Sequence, residues 1–221
     1  IPLISKNPDP DLGFIVVIPA YKEEALLSSL ESLRDCIPTQ KKTEVIVLAN
    51  APEDASAEVM NIHHACVKQA QEWMENNQGS AVDFLLVEKM FPAKHAGVGL
   101  ARKTGMDEAV RRFIRAGNPN GVIIGFDADC TCERNYLVEI ERLFSEKPRT
   151  NGCSLFFEHP LSGNDYPAEL YRSILLYELY LRYYVEILRW CRYPFAYHTL
   201  GSSFAVSLKA YCLQGGMNKL K

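Results

Sequence analysis

Four short apolar runs alternate with stretches of helical spacing along the first 130 or so residues, and this alternation leaves the chain few architectures to choose from. The run "FIVVI" (residues 14–18) is β-branched and closed by Pro19, and the segment "EEALLSSLESLRDC" behind it places Leu26, Leu30 and Leu33 on one helix face. "TEVIVLAN" (residues 43–50) precedes a long helical stretch over residues 55–76, rich in Ala, Glu and Gln. "VDFLLVE" (residues 82–88) precedes "GVGLARKTGMDEAVRRFIRAG", and "NGVIIGFD" supplies a fourth strand. Strands joined by connections of this length predict an α/β fold with a mostly parallel, Rossmann-like sheet flanked by helices on both faces. In such sheets ligands bind beyond the carboxyl ends of the strands, so Tyr21, Glu23, Asn50, Asp54, Asp127 and Asp129 are expected to gather at one edge.

The pattern then changes. A helix is expected over residues 135–146, a strand over 153–157, a long helix over 166–191 and a closing strand and helix. A soft boundary near Pro148 divides the chain into residues 1–150 and residues 151–221, with no internal repeat and no low-complexity linker. At 221 residues, 48% apolar and 23% charged, one large domain or two small ones can bury a real core. Formal net charge is −3 with both signs interspersed, which argues against a nucleic-acid surface. Seven cysteines without framework spacing fit thiols in a reducing compartment, hence a cytoplasmic protein or one at the inner face of a membrane. No run of about eighteen apolar residues is present to span a bilayer. The chain opens on Ile1 and closes on "YCLQGGMNKLK", just past a Gly-Gly turn signal, as a piece of a longer protein would.

The fourth strand raises the chemical question, because "GVIIGFDADC" ends in two carboxylates, Asp127 and Asp129, one residue apart. If the strand continues through them they share a face, and two like charges held together ask for a cation. A hard divalent ion, Mg²⁺ or Mn²⁺, suits such a pair, with phosphate oxygens and water completing its shell. The plainer reading is a surface turn that caps the helix behind it.

Four segments in order, "VVIPAYKEE", "VIVLANAPEDAS", "KHAGVGLARKTGMDEA" and "FDADC", with "LGSSFAVSLKAYCLQGG" as a fifth, resemble the family 2 glycosyltransferases of GT-A fold. The resemblance implies a metal-dependent, inverting transfer of a hexosyl or related sugar from a nucleoside-diphosphate sugar, with UDP favoured. The acceptor would be a hydroxyl on a glycan, a lipid-linked sugar or another molecule, as in polysaccharide biosynthesis. Residues 1–150 would be the donor half and residues 151–221 the acceptor half. Pro19, Ala20, Tyr21 and Glu23 match the loop over base and ribose, Arg102 an arginine near the nucleotide, Asp127 a ribose and metal contact, and Asp129 the principal metal ligand. Asn50 stands where that family usually has a base-reading aspartate, and Lys22 where asparagine is frequent. His198, Thr199 and Gly201 match the acceptor entrance. The general base is expected in an acidic pair beyond Lys221.

Plainer readings stand beside these. Tyr21 suits packing against Pro19, Arg102 a solvated helix face beside Lys103, and Glu23 and Glu24 the first turn of a helix. "GVGLAR" lacks the third glycine of a dinucleotide fingerprint, and "HHAC" and "CTC" lack a complete zinc spacing. The aromatic series Tyr171, Tyr177, Tyr180, Tyr183, Tyr184 and Trp190 is expected to pack in the core, with an acceptor groove or peripheral membrane contact as its other roles. Two other functions remain open: a non-catalytic nucleotide-sugar or carbohydrate-binding module, and a sugar nucleotidyltransferase, although the latter calls for a Gly-rich basic loop that "PAYKEE" does not provide.

Overall fold

The computed structural model describes residues 2–198 and 203–218. Six strands form one sheet in the order β3-β2-β1-β4-β6-β5. β1 (Leu12–Ala20), β2 (Lys42–Pro52), β3 (Val82–Phe91) and β4 (Val122–Gly125) are parallel, while β6 (Phe204–Ser207) runs antiparallel to β4; β5 is the short Gly152–Ser154. Every residue of β1 is buried, which explains why it reads as an unbroken apolar run: a central parallel strand is covered on both faces. Pro19, which has no N–H to give, lies past the last β1–β4 pair, Val17 with Gly125.

The helices follow from their crossovers. Right-handed β1-α1-β2 and β2-α2-β3 connections put α1 (Leu26–Arg34) and α2 (Ala57–Asn76) on one face, and the return to β4 puts α3 (Val98–Ala116) on the other. Ala101, Met106, Ala109 and Phe113 of α3 pack into a core with Ile15 and Val17 of β1, Ile46 and Leu48 of β2 and Ile123 of β4. The approach is close, since a Cβ on Gly105 would lie 2.5 Å from Val17 Cγ1. α3 ends at Gly117, whose φ of +70° few other residues adopt cheaply.

Sequence and structure differ in particular places. β2 runs on to Pro52 because β3 continues opposite it to Phe91. The strand expected over residues 153–157 is only Gly152–Ser154, and beyond it a single bond, from Leu155 N–H to the Ser203 carbonyl, continues the pairing. The chain forms two compact units, Ile1–Cys153 with Phe204–Lys221, and Ser154–Ser203. A single cut at residue 150 therefore does not follow the units, because β6 and α6 (Leu208–Leu213) return to the sheet. In the second unit α5 (Ala168–Trp190) buries only Glu178 and Val185. Its aromatic series is consequently no core: Tyr177, Tyr180, Tyr183, Tyr184 and Trp190 are all exposed, Trp190 to 85%.

Candidate functional site

The sheet reverses its direction of winding between β1 and β4, and at such a switch point the loops diverge and leave a crevice at the carboxyl edge. Tyr21 follows β1, Asn50 lies near the end of β2 and Asp127 follows β4, so three adjacent strands deliver them to this edge. Tyr21 is exposed, with the Lys22 ammonium 4.9 Å from its ring centroid. Lys22 has φ +51°, a left-handed conformation in which asparagine is the more comfortable residue. Glu23 accepts a hydrogen bond from Ala25 N–H at 3.2 Å, just ahead of α1, which has no side-chain cap. Asn50 is buried, and its amide has no hydrogen-bond partner among the described residues. Asp54 is exposed in the turn after β2.

The carboxylate pair is held together for a different reason from the one expected. β4 ends at Gly125, and Asp127 and Asp129 sit in the turn that follows, so strand alternation does not align them. Phe126 N–H still donates to the Val17 carbonyl at 3.2 Å, after which the chain turns and Cys130 N–H donates back to the Asp127 carbonyl at 3.3 Å. Ser29, fully buried on α1, supports the turn from beneath. Its Oγ lies 2.7 Å from the Ala128 carbonyl and 2.6 Å from that of Cys130, and its one proton serves either. A serine on the apolar face of an amphipathic helix was the one sequence signal for this support.

Arg102 is 5% exposed, and its guanidinium pairs with Asp127 Oδ1 while its buried Nε keeps no partner among the described residues. The solvated-face reading of Arg102 is therefore overturned: α3 presents Arg102 on the same side as Gly105, Met106 and Ala109, toward the sheet. The pair asked for a cation, and Arg102 supplies part of that charge to Asp127. Asp129 remains exposed.

One ligand atom each from Asp127, Asp129 and Cys130 lies within 4.8 Å of the others, the one group of this kind among the described residues. The donor set fits a hard divalent ion through its two carboxylates. Cys130 adds little to it, because sulfur is a soft donor and Mg²⁺ or Mn²⁺ prefers oxygen; without an ion, burial and then the charges of Asp129 and Asp127 push its thiol up to about 12. A groove of about 610 Å³ lined by Val67, Met74, Phe84 and Leu86 lies between α2 and the edge strand β3; none of the residues expected at the site lines it. Of the acceptor-entrance residues, His198 is described, and Thr199 and Gly201 lie outside the described residues. No helix among the described residues is long and apolar enough to cross a membrane.

This geometry meets independent comparisons. The model of glycosyl transferase family 2 matches residues 15–198, and the chain belongs to that family. Its mixed sheet flanked by helices is the GT-A type. Among solved structures, Staphylococcus aureus TarS 1–349 is similar at 18% identity over 71% of this chain and 38% of that one, with a TM-score of 0.48. TarS 1–349 in complex with UDP-GlcNAc is similar at 17% over 71% and 37%, with a TM-score of 0.47. Mouse xyloside xylosyltransferase 1 in its apo form is similar at 11% over 91% and 69%, with a TM-score of 0.38. The chain thus spans 38% of the length of TarS 1–349. No curated protein matches it.

Proposed function

We propose that this chain is the donor-binding part of an inverting, metal-dependent glycosyltransferase that moves a hexosyl or related sugar from a nucleoside diphosphate to a hydroxyl acceptor. Residues up to about 150 hold the nucleotide, and residues 151–221 serve the acceptor. The observation that carries this reading is the exposed Asp129 beside an Asp127 fixed by the buried Arg102, at the switch point of the sheet. Arg102 orients Asp127 and leaves its second oxygen for the ribose or the ion. Tyr21, beside Pro19, offers an exposed ring for the base, and Glu23 holds the loop that carries it. The buried, unpartnered Asn50 amide offers both a donor and an acceptor, which suits uracil and favours a UDP-sugar. A divalent ion bound by Asp127 and Asp129 would neutralise charge on the departing diphosphate.

Calorimetry with UDP tests this. Wild-type protein should bind UDP in Mn²⁺ at least about tenfold more tightly than in chelator, the scale of one charge-assisted contact. Asp129→Asn should abolish that difference and leave the weak binding in chelator unchanged. Equal affinity with and without the ion in the wild type would remove the metal role from this pair, and tighter binding of GDP than UDP would remove the assignment to Asn50.

A further inference from the structure

We propose that residues 154–203 carry a carbohydrate-recognition subsite centred on His159, whose Nε2 meets a sugar hydroxyl while the neighbouring Tyr177 and Phe157 rings meet the apolar C–H face of the same sugar. The inference rests on the transferase reading only in supplying a reason for a hydroxyl-bearing ligand; its geometry is independent of the donor site.

The starting point is Glu178, a carboxylate 4% exposed on a helix that otherwise buries only Val185. Isolating a charge in this way is costly unless it is fully engaged. Its Oε1 accepts from His159 Nδ1 at 2.6 Å and from the His159 backbone N–H at 3.1 Å. Arg182, one turn on, brings Nη2 to 2.8 Å from Oε2, close enough to pair the charges although the angle is not that of a hydrogen bond. The same guanidinium donates to the Phe157 carbonyl at 3.0 Å, so the residue-157–159 segment is held to α5 from both sides. Burial alone would raise the Glu178 carboxyl, but hydrogen bonds from the His159 ring and backbone, with the Arg182 charge, outweigh it and leave the group below its usual range.

An ionised carboxylate only accepts, so Nδ1 of His159 donates in this contact and Nε2 is the ring nitrogen left for another partner. Nε2 has no partner among the described residues, and the imidazole is 40% exposed. The ring, fixed through Nδ1 and partly exposed, thus offers one oriented hydrogen-bonding atom. Tyr177 stands 5.7 Å from it at 72°, Phe157 6.1 Å away at 85°, and Phe157 in turn lies 5.4 Å from His198. Aromatic surface around a small number of positioned polar atoms is the usual makeup of a small-ligand site, and a sugar offers the matching pair of an apolar face and a hydroxyl edge. Purely structural polar clusters close on themselves; among the described residues this one leaves its terminal atom open.

The test uses the full chain with ¹⁵N-labelled histidine and three probes: methyl β-glucoside, methyl β-galactoside and methyl N-acetyl-β-glucosaminide. At least one should shift the His159 Nε2 and Tyr177 ring resonances saturably at millimolar concentration. His159→Ala, His159→Gln and Tyr177→Ala should each weaken that response about tenfold or more, the equivalent of one good contact, measured below the melting transition of each variant, with Tyr177→Ala, which leaves the Glu178 contacts intact, as the variant whose melting temperature stays unchanged. Glu178→Gln should loosen the hold on the imidazole through Nδ1 and weaken it as well. No saturable shift from any of the three, or an equal response to cyclohexanol, overturns the proposal. UDP binding in Mn²⁺ is measured on the same samples. Nucleotide binding without glycoside shifts sinks this subsite and leaves the donor reading standing, and glycoside shifts without nucleotide binding do the reverse.

Discussion

The two units treat their buried charges differently. In the sheet unit Arg112 of α3 is fully buried and closed on all sides: its Nε and Nη2 both reach the Glu44 carboxylate of β2, Nη2 at 2.7 Å, and Nη1 donates to the Lys6 carbonyl at 2.9 Å. Glu108, one turn earlier, accepts from the backbone of Leu3 and Ile4 and binds the amino-terminal segment to the same helix. In residues 154–203 the buried Glu178 is reached by His159 at Oε1 and by Arg182 at Oε2, and large apolar side chains elsewhere on the same helix are exposed. Closed polar clusters inside a dense core specify how elements register against one another. An open cluster on a thinly packed helix leaves a polar atom available to something else.

The contrast predicts its largest effect at Glu44. Glu44→Gln keeps the shape and removes the charge that balances Arg112, and breaking a buried pair from one side costs about 3–5 kcal/mol. The double variant Glu44→Leu with Arg112→Met should recover most of that loss, because an apolar replacement of the whole pair removes the stranded charge as well. Urea unfolding measures both. A single variant within about 1 kcal/mol of wild type would show that the pair contributes little to the register of α3 on β2.

A smaller effect, dependent on pH, is expected at Glu178. The carboxyl lies below its usual 4.5 in the folded protein, so it adds stability that is complete above the unfolded value and is lost as pH falls through the folded one. Glu178→Gln should therefore destabilise the protein at neutral pH, and the difference from wild type should shrink as pH falls below the usual 4.5 and through the lower folded value. Melting curves of the two proteins across that window check it, and parallel curves would mean that His159 and Arg182 do not hold the carboxylate in its charged form.

The same contrast explains what could be read in the sequence. The strands were legible because parallel strands covered on both faces are continuous apolar runs, and the helices between them because Leu26, Leu30 and Leu33 repeat at helical spacing. Asp127 and Asp129 were legible as a pair, but by spacing that suggested a strand; the turn that joins them depends on Ser29, about a hundred residues away. Arg102 beside Lys103 looks like a solvated face until the direction in which α3 meets the sheet is known, and the Arg112–Glu44 pair, 68 residues apart, has no local signature. α5 misled in the opposite way. Its aromatics have core composition and cover most of its faces, yet Glu178, Arg182, Glu186 and Arg189 share one stripe, and it is that charged stripe that carries the buried Glu178 and Val185, the reverse of the usual amphipathic rule.

The smallest effects should be found on that helix. Leu176, at 68% exposed, and Trp190, at 85%, are large apolar side chains already in contact with water, so replacing either with serine removes almost no buried area. Leu176→Ser and Trp190→Ser should each shift stability by no more than about 0.5 kcal/mol, the usual range for surface substitutions, which is about 1–2 °C in melting temperature for a chain of this size. Leu30→Ala, in the fully buried face of α1, should cost about 2–5 kcal/mol in the same assay. Both serine variants should also leave UDP binding unaltered, since neither residue belongs to the sheet edge that holds Tyr21, Asn50 and Asp129. The measurement needs to be made on protein verified as monomeric by light scattering, because association through α5 would bury these residues and inflate their cost. If the monomer loses about 2 kcal/mol or more at Leu176 or Trp190, the two units differ less than their exposure indicates, and α5 has a covered face of its own.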